Sequence, residues 1–429
     1  MITRKSCPPM TSSPIAAVSD VLSSHVLNTA TDLVPATECD RRDLAETLAV
    51  VPDPRRRRGV RHPFTPLLAA VTCAMLAGSR SFAAIAEWIA DLPAAARADL
   101  GLTGPVPAAS TLWRLVTAVD PAALQDAVGA WLRARLTWHP NRSARRRRRG
   151  RRVLAVDGKA MRATLRGANP VHLLAVLDHA TSIVLAQVNV DVKTNEIPCL
   201  KTVLNQIKDL KDVLITADAL HCQTAHITYL LGRGAHLLVC AKGNQPGLLK
   251  RLKALPWKQI PIGHTSSTRA HGRIEERTLK VVTVADSAGG LGFPGAAQAI
   301  QITRRTKRIT PKPGKKNPWR TETVHAIVTL PAEQASAAEL ATWIRNHWLI
   351  ENRLHWVRDV TLGEDLHQAR TGNGPHVLAI LRNVVISVLR LAGHDNIARA
   401  LRHYGRHTDQ AIALLTRPFP TSQLPCLGT

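Results

Sequence analysis

Short apolar runs alternating with stretches of helical spacing, through the middle of the 429-residue chain, predict an α/β fold built on a mixed sheet with flanking helices. An Ala-rich helical stretch precedes that region, and a period-two stretch interrupts it. These predict an N-terminal helical domain and a β-rich insertion. With 45% hydrophobic residues, the chain can bury a large core and form two or more domains.

Residues 1–44, rich in Ser, Thr, Pro and Val, carry no signal-peptide pattern and are expected to be disordered. Residues 45–138 read as a helical accessory or DNA-binding domain, with helices over Leu67–Leu76 and Phe82–Leu92 and an N-cap near Pro107–Arg114 that starts another. Trp113 is expected to pack within it, with a helix-turn-helix role that sets Trp113 or Arg114 near DNA as the lesser alternative. Residues 139–152 form an Arg-rich linker. Strands are expected at Val153–Val156, His172–Leu177, Ile183–Val190, Asp212–Ala217 and His236–Ala241, with helices at Ile197–Ile207 and Thr224–Leu231. Three strands followed by strands alternating with helices fit a mixed sheet of the ribonuclease-H kind, placed at 153–395. The insertion spans about 256–330 and shows period-two patterns at Arg277–Val284, Ala297–Thr303 and Glu322–Leu330, with an exposed loop at Pro311–Pro318. Ser336-Ala337-Ala338-Glu339 is a capping box that opens the next helical region. Helical spacing returns from His376 to Leu391, and 396–429 reads as a C-terminal tail.

Three acids stand out in this frame. Asp157 closes the run Val153–Val156, Asp218 closes Val213–Ala217, and Glu351 lies in the helical stretch Arg345–Arg358. Two aspartates at strand ends and a glutamate on a flanking helix suit a hard cation, since Mg²⁺ takes oxygen ligands in near-octahedral geometry. Two such ions roughly 3.5–4 Å apart activate an attacking oxygen and stabilise a leaving one. A lone acid at a strand end is more often just solvated, so any one of the three by itself says little.

Further motifs occur in order along the chain: Val156-Asp157-Gly158-Lys159-Ala160-Met161-Arg162, Lys193-Thr194-Asn195-Glu196-Ile197, Thr216–His221, Lys242-Gly243-Asn244-Gln245 and His347–Trp356. Together they resemble the insertion-sequence DDE transposases, in the branch of the H-repeat-associated proteins, over roughly residues 45–395. The resemblance implies a ribonuclease-H-like catalytic domain with Asp157, Asp218 and Glu351 as catalytic and metal-binding triad, two Mg²⁺ ions (Mn²⁺ able to substitute), and cleavage and strand transfer of DNA. Related transposases often carry Tyr, Arg, Glu and Lys around the glutamate where this chain has Ile344, His347, Glu351 and Arg358. Arg358 lies two α-helical turns beyond Glu351 and is expected on the same face, near a DNA phosphate. His347 and His355, at four-residue steps from Glu351, are expected to line the DNA channel or to cap a core; a zinc site is the weaker alternative, because the order is not His-Glu-x-x-His. Lys159, Arg162, Lys242, Asn244 and Gln245 are further candidate DNA contacts, although a plain turn accounts equally well for the last three. His271-Gly272-Arg273 also resembles a family motif, without a mechanistic account from sequence.

Composition points to the same partner. The chain holds 57 Lys+Arg against 31 Asp+Glu, a formal net charge of +26, and favours polyanions. The charge clusters at Arg55–Arg58, at Arg145, Arg146, Arg147 and on through Arg152, and from Arg304 to Lys316. Runs of this kind also serve as solvated linkers. Seven cysteines without a Cys-x-x-Cys pair suggest neither a zinc ribbon nor a disulfide framework, so a reducing bacterial cytoplasm, at the nucleoid, is the expected compartment. The apolar stretch Phe64–Gly78 is shorter than the about 20 residues a membrane span needs. The expected function is therefore a transposase that acts as a homodimer on its element's terminal repeats and on target DNA. The alternatives are a ribonuclease-H-like nuclease without strand transfer and a non-catalytic DNA-binding derivative.

Overall fold

The computed structural model describes residues 43–56, 58, 60–135, 151–164, 170–191, 195–284, 290–310 and 316–416. The expected disorder of 1–42, the run Arg145–Arg147, Lys193 and Thr194 of the second motif, and most of the Pro311–Pro318 loop fall outside them.

Among the described residues six helices come first: α1 (Leu44–Leu48), α2 (Phe64–Leu76), α3 (Phe82–Asp91), α4 (Ala94–Asp99), α5 (Ala109–Ala118) and α6 (Pro121–Arg135). Asp43 and Ser81 cap α1 and α3 through their side chains, whereas α5 starts at Ala108 with no side-chain cap. Helix α2 is buried almost all round. Its Thr72 hydroxyl, unable to reach water, donates to the Leu68 carbonyl one turn back.

The sheet follows, with β1 (Val153–Ala160), β2 (His172–Asp178), β3 (Val184–Val190), β4 (Leu214–Ala217) and β5 (His236–Ala241), and helices α7 (Glu196–Asn205) and α8 (Thr224–Gly232) between strands. Helix α9 (Pro246–Ala254) leads out of β5 into β6 (His264–Ala270), β7 (Arg273–Thr283), β8 (Gln298–Arg308) and β9 (Arg320–Val328). Strand order is β3-β2-β1-β4-β5-β9-β8-β7-β6. The first five strands, antiparallel up to β1 and parallel from β1 through β4 to β5, make the ribonuclease-H-like sheet. The β-rich insertion is not a separate layer: β9 pairs antiparallel with β5 and continues the same sheet outward. Strands β7 and β8, 11 residues each, outrun the six of β5, so their distal halves form an arm with both faces at least partly exposed. His271 and Gly272 join β6 to β7 with φ of 49° and 69°. Two consecutive left-handed residues are what a tight hairpin turn requires, and this is the structural reason for the His-Gly-Arg motif.

Beyond the sheet, α10 (Ala337–Asn346) begins at the expected capping box: the Ser336 hydroxyl accepts from the Glu339 backbone N–H, and the Glu339 carboxylate accepts from the Ser336 N–H. Two π-helical turns follow, Glu351–His355 and Val357–Thr361, where a continuous α-helix is the simpler reading of the sequence. Helix α11 (Gly374–Leu391) is long and apolar enough by length and composition to cross a membrane, yet 89% of it is buried inside the protein. It packs on α2, α5 and α6 on one side and on β3 on the other. The segment read as a C-terminal tail carries α12 (Ile397–Tyr404) and α13 (Thr408–Thr416) instead, and α13 returns to α1, α2 and α4. Tail-like composition hides this, because a short helix needs only a few apolar contacts, here Ile397, Leu401, Ile412 and Leu415, to dock. One hydrophobic core runs from Leu44 to Leu415 through the N-terminal helices and the sheet.

Candidate metal centre

Strand β1 does not end at Asp157. It continues to Ala160 against β2, with Asp157 opposite Ala175, while its parallel pairing with β4 stops at Val156–Ala217. Asp157 and Asp218 therefore sit side by side where β4 leaves the sheet, about one strand spacing apart. Asp218 also caps the turn Ala219–His221, its Oδ1 accepting the Leu220 N–H at 2.9 Å. Glu351 comes from the first π-helical turn and stays half exposed. Behind it the buried His355 places Nδ1 3.5 Å from Glu351 Oε2 and 3.6 Å from Asp157 Oδ2. One ligand atom from each of Asp157, Glu351 and His355 lies within 4.8 Å of the others.

The electrostatics favour a cation here. Burial pushes the Asp157 carboxyl up to about 7, and the negative charges of Glu351, Glu196 and Asp218 add to the rise against a single backbone hydrogen bond from Gly158. Glu351 lies below the usual carboxylate range, chiefly through the His355 imidazole beside it. A strand aspartate that would rather hold a proton than face three other carboxylates is what a cation would relieve. Asp157 and Glu351, with His355, offer ligand atoms close enough together for one divalent cation, whereas Asp218 stands outside that group, one of its oxygens taken by the Leu220 N–H.

Glu196 is a member of this cluster that sequence reasoning left without a role. It opens α7, capped by Asn195, and lies against the backbone of β1: a Cβ at Gly158 would come 2.0 Å from its Oε1. Its carboxylate is 2.9 Å from His172 Nε2 of β2 and 3.4 Å from His221 Nε2 of the turn after Asp218. Burial pushes this carboxyl up, but the two histidines outweigh it and bring it to about 2. The Gly158 that follows Asp157 was the available signal, since only glycine leaves room for an acid at that point.

The remaining predicted contacts divide. Arg162 is largely exposed, 3.9 Å from Asp365, and Lys242 is exposed after β5. Asn244 donates to the Ala219 carbonyl at 2.6 Å and Gln245 to Gln223 at 3.4 Å, so both tie the β5 loop to the Asp218 turn. His347 Nδ1 meets the Thr216 hydroxyl at 3.1 Å, as does His179 Nε2, and burial brings His347 down to about 4. It packs against β4, as the core-capping alternative expects. Lys159, 7% exposed, is bound to Asp359 at 2.6 Å, which straps the π-helical segment to β1 and pairs this lysine with a carboxylate of the protein itself. Arg358 is the clearest correction. It is fully buried, donating to Glu364 through Nε (2.9 Å) and Nη2 (2.8 Å) and to Gln187 through Nη1 (3.4 Å), with Arg382 sharing Glu364 at 3.3 Å. Bonds that skip five residues widen each turn, so seven residues no longer complete two turns, and Arg358 points into the core. Trp348 and Trp356, 63% and 55% exposed, are large aromatic groups facing solvent around Glu351. Trp113 is 39% exposed and lines a cleft of about 460 Å³ with Arg80, Phe82 and His367.

Comparison with known proteins gives a consistent result. The family model described as Transposase DDE domain matches residues 148–388, and one described as DDE_Tnp_1-associated matches residues 45–132. From Escherichia coli K12, YbfL is 27% identical and the H repeat-associated candidate transposase YhhI 26% identical, each over 81% of this chain and 90% of its own length. The candidate transposase YncI of Escherichia coli O157:H7 is 26% identical over 81% of this chain and 87% of its own.

Proposed function

Because the chain belongs to the Transposase DDE domain family, we propose that Asp157, Asp218 and Glu351 hold the divalent cations with which it cuts DNA at the ends of a mobile element and joins the freed 3′ ends to target DNA. The observation that carries this reading is the convergence of Asp157 and Glu351 beside Asp218, with the Asp157 carboxyl raised to about 7 by burial and by its acidic neighbours. When bound, the cation supplies Lewis-acid charge for the phosphodiester and an activated oxygen nucleophile.

The chain's own residues do the rest by positioning. The β1 backbone and the Asp218 turn hold two carboxylates at fixed separation, while the Lys159–Asp359 pair fixes the segment bearing Glu351 over them. No protein nucleophile is needed. Exposed cations along the arm, Arg269, Arg273, Arg308 and Arg320, would track the phosphate backbone, and a second copy of the chain would bring the two element ends together.

The test is to incubate the purified chain with supercoiled DNA carrying the gene's native flanks, in Mg²⁺ or EDTA, beside Asp157→Asn and Glu351→Gln. Metal-dependent cuts at the element boundaries with strand-transfer products, lost in both variants, are expected. Cuts without joined products would replace the reading by a simple nuclease. Binding without cuts, the same in wild type and variants, would replace it by a DNA-binding protein.

A further inference from the structure

We propose that His355 is a nitrogen ligand of the cation held by Asp157 and Glu351, which makes this site selective for Mn²⁺ over Mg²⁺. The inference rests on the assignment of Asp157 and Glu351 as cation ligands and adds to it a donor outside the acidic triad.

His355 is 3% exposed, so its two ring nitrogens have almost no access to water. Its Nε2 has no hydrogen-bond partner among the described residues, so the nitrogen that faces the carboxylates is Nδ1, and a ring bound there would carry its proton on Nε2. Its Nδ1 is aimed between two carboxylates, 3.5 and 3.6 Å away. These are long for hydrogen bonds, and nearly equal, as if the three atoms shared a neighbour and not one another. The ligand atoms form a triangle with no side longer than 4.8 Å. An ion roughly 2.0–2.4 Å from each corner, the ordinary range for imidazole and carboxylate ligands, fills it with small adjustment. Asp218, on the neighbouring strand end, is left to complete the shell or to serve a second ion.

The donor types decide the selectivity. Mg²⁺ takes oxygen and dehydrates reluctantly, whereas imidazole suits Zn, Cu, Fe and Ni best, and Mn²⁺, at the weak end of that series, still takes it more readily than Mg²⁺ does. One nitrogen with two carboxylate oxygens is a mixed set that Mn²⁺ accepts and Mg²⁺ does not favour.

The experiment uses the full chain without DNA, loaded with one equivalent of Mn²⁺ and examined by electron spin-echo modulation, which detects a coordinated imidazole nitrogen. Wild type, His355→Gln and Asp157→Asn are compared, with folding checked by circular dichroism. Nitrogen modulation in wild type, lost in His355→Gln together with about a tenfold or greater fall in Mn²⁺ affinity and little change for Mg²⁺, is the expected result. Mn²⁺ bound tightly with no nitrogen modulation in wild type overturns the proposal, whatever the variant does, and leaves the carboxylate site standing. Modulation that persists unchanged in folded His355→Gln overturns it as well. Failure of wild type to load Mn²⁺, or Asp157→Asn binding as well as wild type, removes the carboxylate site itself and His355 with it.

Discussion

Asp157 stands among three other carboxylates, Asp218, Glu351 and Glu196, on a strand whose next residue must be glycine. Its carboxyl is raised to about 7 in the metal-free protein, against about 3.9 in an unfolded chain. The sign is the reverse of a salt-bridged aspartate: between these values the folded state binds the extra proton, so its stability falls as pH rises. The penalty is absent below the unfolded value and complete above about 7. Asp157→Asn is therefore expected to stabilise the protein in EDTA at pH 8 by on the order of 2–4 kcal/mol, with little gain at pH 4. Thermal melts of both proteins at the two pH values check it; equal gains at both would assign the effect to packing. The aspartates themselves were legible in the sequence because each follows an apolar run with strand character. Glu196 was marked only indirectly, by the Gly158 that leaves room for it, since its partners His172 and His221 come from two separate elements.

The segment from Glu351 to Thr361 shows what periodicity can and cannot deliver. Sequence spacing puts Glu351 on a helix over the sheet, and that is where it lies. The same spacing, taken as α-helical, turns Arg358 toward DNA, whereas the π-helical turns direct it inward to Glu364. Helix-forming residues fit either ladder, and the choice is made by tertiary partners, here a buried carboxylate shared by Arg358 and Arg382. Burial pushes the Glu364 carboxyl up, but the two guanidinium groups hold it below the ordinary range. Glu364→Ala would leave both cations buried and uncompensated. A loss of about 3–5 kcal/mol is expected, measured by urea denaturation. A loss under about 1 kcal/mol, typical of an exposed pair, would mean that water reaches the network.

Across the whole molecule, the five-stranded core sheet was readable because its strands are short and apolar, three in succession and then two set off by helical stretches. The junction of the insertion was not. Pairing of β9 with β5 links residues nearly ninety positions apart, such as Val239 with Ile327, and local pattern says nothing of such pairings. The resulting arm carries exposed Arg269, Arg273, Arg308 and Arg320, with Arg305 stacked 4.8 Å from the Trp319 ring. Replacing Arg269, Arg273 and Arg308 by Gln is expected to lower DNA affinity uniformly across sequences. The slope of log affinity against log salt should shrink by about one for each phosphate that the arm no longer neutralises. An unchanged slope would place phosphate binding elsewhere on this basic chain.

Helix α11, wedged between the N-terminal helices and β3, fixes the spacing between the two halves of the protein. If the chain cuts DNA as proposed, any DNA held against the exposed side of α5, at Trp113 and Arg114, would lie at a set distance from Asp157, because a single buried helix packs against both halves and keeps them from drifting. The interval between a recognised sequence and the broken bond would then be a dimension of the protein, read out in base pairs.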